Sequence, residues 1–145
     1  MTIDGATRAD HVATLTARIH RYCELFDSGR MDEFAAQFQH GRWHRAEPGA
    51  AATRQWIADH VILHDGVPAT QHCTSNLVVD VADDGQTATA SAYVTVFQRV
   101  SGVLPLQPIF GGIYRDRFQQ VDGDWQWLER SVHQLVRGDT SQHVR

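Results

Sequence analysis

Residues 70–100 read TQHCTSNLVVDVADDGQTATASAYVTVFQRV, and they decide the fold of the chain. Their side chains alternate with a period of two and are rich in β-branched residues, a pattern that is typical of long strands. The turn signal Asp83-Asp84-Gly85 divides the stretch into strands at 70–81 and 87–100. The sequence therefore predicts a β-hairpin here, and the second strand is expected to be covered on both faces.

A second hairpin is predicted farther along, from strands at 109–121 and 124–136 that flank Asp122-Gly123-Asp124. Pro108 lies just before it and indicates an edge or a bulge, because proline cannot donate to a strand ladder. Upstream of residue 70 the apolar pattern changes to the helical period. It predicts three helices at 6–28, 31–38 and 51–63, with a short strand at 41–46 between the second and third.

Helices grouped first and antiparallel strands grouped second indicate an α+β domain. A chain of 145 residues suits one domain, so we expect residues 1–145 to form a single unit with a polar, frayed tail at 138–145. A strongly curved sheet is expected to wrap around the first helix and to leave a pocket between them.

Composition excludes several classes of partner. The net charge of −4 and the lack of a basic cluster argue against nucleic-acid binding. No apolar run approaches the roughly 20 residues that span a bilayer, and the N-terminus lacks the plan of a secretory signal. Cys23 and Cys73 are too few for a disulfide framework, so we interpret them as reduced thiols of a cytoplasmic protein.

A carboxylate and an imidazole stand where one folded unit could bring them together. Asp27 ends the first predicted helix, and His72 lies near the start of the first long strand. A carboxylate can fix the tautomer of a histidine and raise its basicity, so the two would form a general base if they meet. The alternative interpretations are a solvated helix-end carboxylate and a hydrogen-bonded core histidine.

Six further side chains are predicted to line the pocket and bind substrate: Tyr22, Asn76, Tyr93, Phe97, Tyr114 and His133. A phenol near the pocket, Tyr114 above all, could polarise a substrate carbonyl. Asn76 lies four residues after His72, and His133 has the same parity as Trp127 on the last strand. Strand aromatics can equally be plain core residues.

No cofactor or metal is expected. The pairs His40/His44 and His60/His64 have a spacing of four, but no third ligand with zinc-like spacing follows them. No phosphate-binding glycine loop or nucleophile elbow is present in the sequence. Cys73 is expected to face away from His72, which argues against a cysteine nucleophile.

Four motifs carry a family resemblance over roughly residues 10–135. They read LFDSGRMDEF at 25–34, HCTSNL at 72–77, GIYRDRF at 112–118 and VDGDWQWLER at 121–130. Together with the element order, they resemble the SnoaL-like group of the NTF2-like superfamily. The resemblance implies a cone-shaped α+β barrel with a deep apolar pocket, usually in a homodimer.

Within that group, the chain is similar to the scytalone dehydratase and dehydrochlorinase branch. Asp27 and His72 match the paired aspartate and histidine of these enzymes. The rest of the site differs: the second histidine of the dehydratase falls at Phe97, and its serine and asparagine fall near Gly112 and Tyr114. The assisting lysine of the dehydrochlorinase falls at about Tyr22. The base is retained while its polarising partners change.

The resemblance and the candidate base together predict a cofactor-free lyase or isomerase, namely a dehydratase, cyclase or isomerase. It would act on a small apolar or polycyclic substrate, and dehydration ranks marginally first. Two alternatives stay open: a non-catalytic protein that binds a small ligand in the same pocket, and a small subunit of an oxygenase assembly.

Overall fold

The computed structural model describes residues 1–145, with three helices followed by a long antiparallel meander. The helices are α1 (Gly5–Asp27), α2 (Met31–Ala36) and α3 (Ala50–His60), and the strands are β1 (Arg42–Trp43), β2 (Thr70–Val81), β3 (Thr87–Val100), β4 (Leu104–Val121) and β5 (Asp124–Arg137). The α+β prediction and the two predicted hairpins are confirmed.

One five-stranded sheet carries the fold, with the spatial order β1-β5-β4-β3-β2. The four long strands pair antiparallel in sequence order, and only the two-residue β1 runs parallel to its neighbour β5. Register shifts interrupt every long pairing, as between Ser75 and Val78 in β2. Such bulges bend a strand and change which face its side chains occupy.

Helix α1 packs on the sheet through one apolar face. The Asp4 side chain caps it by accepting from the backbone N–H of Thr7 at 2.7 Å. Its buried residues recur at spacings of three and four: Leu15, Ile19, Tyr22, Cys23 and Phe26, with Leu25 beside them. Apolar residues at this spacing form a continuous stripe, which fixes the rotation of the helix against the sheet.

Gly29 ends α1 and sets the direction of the chain beyond it. Its φ of +75° lies in the left-handed region, and a Cβ built there would stand 2.3 Å from the Gly66 carbonyl oxygen. Only glycine fits both conditions. Asp27, two residues earlier, is thereby held against the start of β2.

The ends of several elements differ from the sequence prediction: α2 stops at Ala36 and not at residue 38, and β1 covers only Arg42–Trp43 of the predicted 41–46. Helix α3 stops at His60 and not at Leu63, because Val61 adopts an extended conformation and forms a β-bridge with Val144. Strand β4 begins at Leu104, five residues before the predicted start, because residues 104–108 pair with β3 although they have no partner in β5. Pro108 is accommodated there beside a register shift, as predicted.

The last residues, 138–145, form what we call the C-terminal strap. The backbone N–H of Ile62 donates to the His143 carbonyl at 2.9 Å, and the N–H of Arg145 donates to the His60 carbonyl at 2.9 Å. The side chain of Gln98 also donates to the Gln142 carbonyl at 3.0 Å. The expectation of a frayed tail is therefore corrected: partners in distant parts of the chain hold the strap, and the local sequence does not reveal them.

None of the three helices is long and apolar enough to cross a membrane.

Candidate active site

A hydrogen-bonded carboxylate and imidazole join the end of α1 to the start of β2. Asp27 Oδ1 accepts from His72 Nδ1 at 2.6 Å and from Thr70 Oγ1 at 2.8 Å. Asp27 Oδ2 accepts from the backbone N–H of His72 at 2.8 Å. Three donors from one strand thus hold the carboxylate in a single orientation.

These contacts determine the tautomer of His72. An ionised carboxylate only accepts hydrogen bonds, so the hydrogen on the imidazole lies on Nδ1 and the lone pair lies on Nε2. The His72 side chain is 8 % exposed and that of Asp27 is 20 % exposed. The rings of Phe26 and His72 meet edge to face at a centroid distance of 5.1 Å, and this packing fixes the plane of the imidazole. The pair is geometrically prepared to accept a proton on Nε2.

The pair opens onto a cavity of about 410 Å³. Helix α1, the β1–α3 region, the inner face of the sheet and the C-terminal strap all supply its walls. The apolar part of the lining comprises Tyr22, Phe26, Trp43, Trp56, Val61, Val96, Phe110, Tyr114, Val132 and Val144. A cavity of this size and character suits a small aromatic or polycyclic molecule.

Two buried phenols occupy the wall of the cavity. The indole Nε1 of Trp43 donates to the Tyr22 hydroxyl at 2.9 Å, and the rings of Tyr22 and Tyr114 meet edge to face at 5.6 Å. Burial raises the pKa of Tyr22. Burial, followed by the neighbouring Tyr22, raises the pKa of Tyr114 well above its usual value of 10. Both groups therefore stay neutral near pH 7 and keep an O–H to donate.

A buried ion pair stands behind the phenols. Arg130 donates to the two oxygens of Asp116 at 2.7 Å each, and the side chains are 0 % and 1 % exposed. The guanidinium carbon lies 4.2 Å from the Tyr22 ring centroid and 4.0 Å from that of Tyr114. Burial alone lowers the pKa of Arg130, but Asp116 outweighs burial and the pKa ends above its usual value. The sequence alone does not reveal this pair, since alternation does not show which charged strand residues face inward.

The C-terminal strap brings a further histidine into the cavity. The His143 ring lies 6.5 Å from the His72 ring and 6.1 Å from the Phe26 ring, centroid to centroid. Burial, then the nearby His72, lowers the pKa of His143 to about 4. No sequence signal could have found this residue, because it follows the last strand and has no apolar pattern around it.

The charge in the cavity lining is of one sign only. Arg45, Arg137 and Arg145 line it together with the histidines His44, His60, His72 and His143, and no aspartate or glutamate does. None of these three arginines makes an ion pair with a carboxylate. Burial, then Arg45, lowers the pKa of His44 to about 4. The cavity therefore offers donors and positive charge to a bound molecule.

The structure brings together four of the eight site residues predicted from the sequence. Asp27 meets His72, and the same cavity contains Tyr22 and Tyr114. The other four lie outside the cavity: Asn76, Tyr93, Phe97 and His133. Their placement as pocket residues is corrected.

Bulges and parity explain the four displaced residues. In β3 the even-numbered side chains face the core, as Val94 and Val96 do, so Tyr93 and Phe97 face outward. Asn76 lies in the bulge of β2, has a φ of +51° and is exposed. A register shift near Leu128 reverses the parity of β5, so that Val132 lines the cavity and His133 does not. One extra residue in a strand moves every later side chain to the opposite face.

Neither cysteine is placed to act as a nucleophile. Cys23 is buried, and burial raises the pKa of its thiol to about 11. Cys73 follows His72 in a regular strand segment, so its side chain points to the other face of the sheet. The chain contains no group of three or more histidine, cysteine, aspartate or glutamate side chains that could hold a metal ion.

Solved structures with the same fold include several related small proteins. A candidate scytalone dehydratase from Novosphingobium aromaticivorans is 20% identical, with a TM-score of 0.75 over 94% of this chain and 91% of that one. A protein of unknown function from Mycobacterium tuberculosis is 21% identical, with a TM-score of 0.73 over 88% and 73%. ActVI-ORFA from Streptomyces coelicolor is 18% identical, with a TM-score of 0.69 over 85% and 96%.

A further similar structure is an NTF2-like protein with a cystatin-like fold from Novosphingobium aromaticivorans, which is 23% identical with a TM-score of 0.66 over 96% of this chain and 94% of that one. These likenesses confirm the predicted NTF2-like α+β fold, in which helices pack on a curved sheet. Among curated proteins, no sequence matches the chain. The family model of the SnoaL-like domain matches residues 7–131, and the chain therefore belongs to the SnoaL-like family.

Proposed function

We propose that the protein is a cofactor-free lyase or isomerase in which His72 takes a proton from a carbon of a small apolar or polycyclic substrate. Asp27 orients the imidazole and stabilises the positive charge that the ring gains. Dehydration, double-bond migration and ring closure all begin with this step. Dehydration ranks first among them.

The observation that carries the proposal is the 2.6 Å contact between Asp27 Oδ1 and His72 Nδ1 at the wall of the cavity. A structural histidine needs only to satisfy its hydrogen bonds. Here one ring nitrogen is bonded to a carboxylate, while the ring itself lines a cavity large enough for a ligand. General-base catalysis of this kind contributes typically about 10²–10⁴-fold in rate.

The phenols of the cavity wall suit the second requirement of the reaction. Proton abstraction next to a carbonyl leaves negative charge on the carbonyl oxygen, and a preorganised donor lowers the barrier. Tyr22 and Tyr114 are neutral, buried and held rigidly against each other and against Arg130. Rigid donors are effective because they need no reorganisation during the reaction.

Deuterium exchange into a generic carbon acid tests the proposal without knowledge of the natural substrate. The probe is 2-tetralone, a bicyclic ketone whose α-protons are replaced by deuterium in D₂O when a base removes them. We expect the wild-type protein to accelerate exchange above the buffer rate, as measured by proton NMR. His72→Ala is expected to remove about 10²–10⁴-fold of that acceleration.

His20→Ala is the matched control, because His20 is an exposed histidine of α1 outside the cavity. It is expected to exchange at the wild-type rate. A wild-type protein that binds 2-tetralone but exchanges it no faster than buffer would contradict catalysis and favour a ligand-binding role. Equal rates for wild type and His72→Ala would exclude His72 as the base.

The protein is further proposed to act as a homodimer through the outer face of its sheet. Tyr93, Val78 and Val136 are exposed there by 46%, 63% and 67%, three apolar side chains on different strands that are exposed to water in the single chain. Tyr93→Glu places a charge in the middle of this face. Light scattering is expected to give a dimeric mass for the wild type and a monomeric mass for the variant; a monomeric wild type would refute the dimer.

A further inference from the structure

The C-terminal strap is bound firmly enough to position a side chain in the cavity. The His143 carbonyl accepts from Ile62 N–H at 2.9 Å, and its own N–H donates to the Thr140 carbonyl at 3.0 Å. Val144, the next residue, forms a β-bridge with Val61 at the end of α3. The backbone contacts of His143 and of Val144 therefore determine where the His143 imidazole lies.

The two imidazoles of the site share one support. The Phe26 ring meets the His72 ring at 5.1 Å and the His143 ring at 6.1 Å, centroid to centroid, both nearly perpendicular. The two imidazoles are 6.5 Å apart and line the same cavity. A planar molecule that places a carbon at His72 would extend an adjoining group towards His143.

The hydrogen bonding of His143 is incomplete within the chain. Its Nδ1 is buried and has no partner. A neutral imidazole carries one N–H, and a buried N–H without a partner is much rarer than an acceptor without one. The favoured tautomer therefore has the lone pair on Nδ1 and the hydrogen on Nε2, which is not among the enclosed atoms that lack a partner.

We propose that His143 is a substrate-binding residue whose Nε2–H donates a hydrogen bond to a carbonyl or hydroxyl oxygen of the substrate. This inference rests on the proposed function for its place in the reaction. When the carbon–hydrogen bond breaks, the proton goes to His72 Nε2, and the electron pair moves to form an enolate. The oxygen of the enolate bears the negative charge, and His143 stabilises it without giving up its own proton.

The electrostatics of the site agree with this role. Burial, then His72, lowers the pKa of His143 to about 4, so the ring is neutral near pH 7 and stays neutral after His72 gains a proton. His143 therefore does not compete for the proton that His72 takes. No aspartate or glutamate is among the lining residues, and three arginines are, so the lining favours an electron-rich substrate oxygen.

A pair of probes that differ by one oxygen tests the contact by binding alone. The probes are 2-tetralone and tetralin, which share a bicyclic skeleton, and binding is followed by the fluorescence of Trp43 and Trp56 in the cavity wall. His143→Phe keeps an aromatic ring and removes the N–H. We expect the Kd of 2-tetralone to rise about tenfold and that of tetralin to change by less than about twofold.

Ser141→Ala is the matched control in the strap, since Ser141 is exposed and lies outside the cavity. It is expected to bind both probes as the wild type does. Equal weakening of both probes by His143→Phe would assign His143 to packing, and unchanged binding of both would remove it from the site. Either result overturns the inference.

A measurement on the wild-type protein keeps the inference testable if His143→Phe does not fold. Long-range proton–nitrogen NMR is expected to show a shift of the His143 Nε2 resonance with 2-tetralone and none with tetralin; identical spectra with both probes would overturn it. Failure of the proposed function is distinguishable, because it appears as absent deuterium exchange while the difference between the two probes persists.

Discussion

Two carboxylates of the protein each bind a basic side chain at nearly the same distance, but we assign the two pairs different roles. Asp116 holds Arg130 through two contacts of 2.7 Å, with both side chains enclosed. Asp27 holds His72 through one side-chain contact of 2.6 Å, at the wall of a cavity of about 410 Å³. The first pair contains a guanidinium, which keeps its charge and only donates hydrogen bonds, whereas the second contains an imidazole with one nitrogen not bonded to the carboxylate.

The comparison shows how burial and residue type determine whether a pair supports the fold or is available for chemistry. Arg130 has no accessible lone pair and its charge is fixed, so it supports the Tyr22 and Tyr114 rings, whose centroids lie 4.2 and 4.0 Å from its guanidinium carbon. His72 uses one nitrogen for Asp27 and keeps the other for chemistry. The buried Arg130–Asp116 pair therefore supports the cavity wall, and the His72–Asp27 pair is the proposed base at that wall.

The largest expected effect is on the enclosed pair. Arg130→Met leaves Asp116 buried with only the Trp127 indole N–H as a donor. We expect the free energy of unfolding to fall by about 3–5 kcal/mol, because a buried carboxylate without its opposite charge is costly. Urea denaturation measures this loss. Arg115→Met, at an exposed position of β4, is the control and is expected to change stability by less than about 0.5 kcal/mol.

The double variant Arg130→Met/Asp116→Leu sharpens the interpretation. Replacing both members with apolar residues removes the stranded charge, so stability is expected to recover by at least half of the loss. A double variant as unstable as Arg130→Met would mean that packing against the phenols, and not charge, dominates.

Acid is expected to act at the cavity end of the molecule. Burial, then His72, lowers the pKa of His143 to about 4, and burial, then Arg45, does the same for His44. Between about pH 6.5 and pH 4 the unfolded chain binds more protons than the folded one. Stability is therefore complete above about pH 6.5 and decreases as the pH falls towards 4.

Replacing His143 tests this pH dependence. His143→Phe is expected to remove on the order of 2 kcal/mol from the decrease in stability between pH 7 and pH 4.5, as measured by urea denaturation at each pH. His20→Phe changes an exposed histidine of α1 and is expected to leave the decrease unaltered. A decrease that is the same in all three proteins would place the acid-sensitive groups elsewhere.

A smaller effect is expected from removing one of the three hydrogen bonds to Asp27, because the other two remain. Thr70→Val removes one of the three hydrogen bonds to Asp27 and leaves the two from His72. We expect a loss of about 1 kcal/mol in stability and only a few-fold loss in exchange of 2-tetralone. Thr89→Val, on the exposed side of β3, is the comparison. A loss of exchange as large as that of His72→Ala would make Thr70 essential to the base.

The strands could be predicted closely and the strand faces could not. The alternating residues of 70–81 and 87–100 give the observed bounds of β2 and β3, because period and turn signals are local. The bulges at Asn76 and near Leu128 depend on pairing between distant strands. These bulges change the face of the sheet on which Asn76 and His133 lie, and no local sequence pattern predicts the bulges.

Some residues of the candidate site could be predicted from the sequence and others could not. Asp27 and His72 could be proposed because a helix end and a strand start carry recognisable signals, and the resemblance joined them. His143 could not, since hydrogen bonds to Ile62 and His60 bring the strap over the cavity. Arg130 belongs to a motif visible in the sequence, but only the three-dimensional structure shows that it is fully buried and packed against two phenol rings.

The most direct test of the central claim is a double-mutant cycle on Asp27 and His72, read out as the rate of deuterium exchange into 2-tetralone. If Asp27 acts only through His72, Asp27→Asn and His72→Ala each lower the rate, and the double variant is no slower than His72→Ala. Losses that simply multiply in the double variant would show that the two residues work independently, and would contradict the account of the pair as one base.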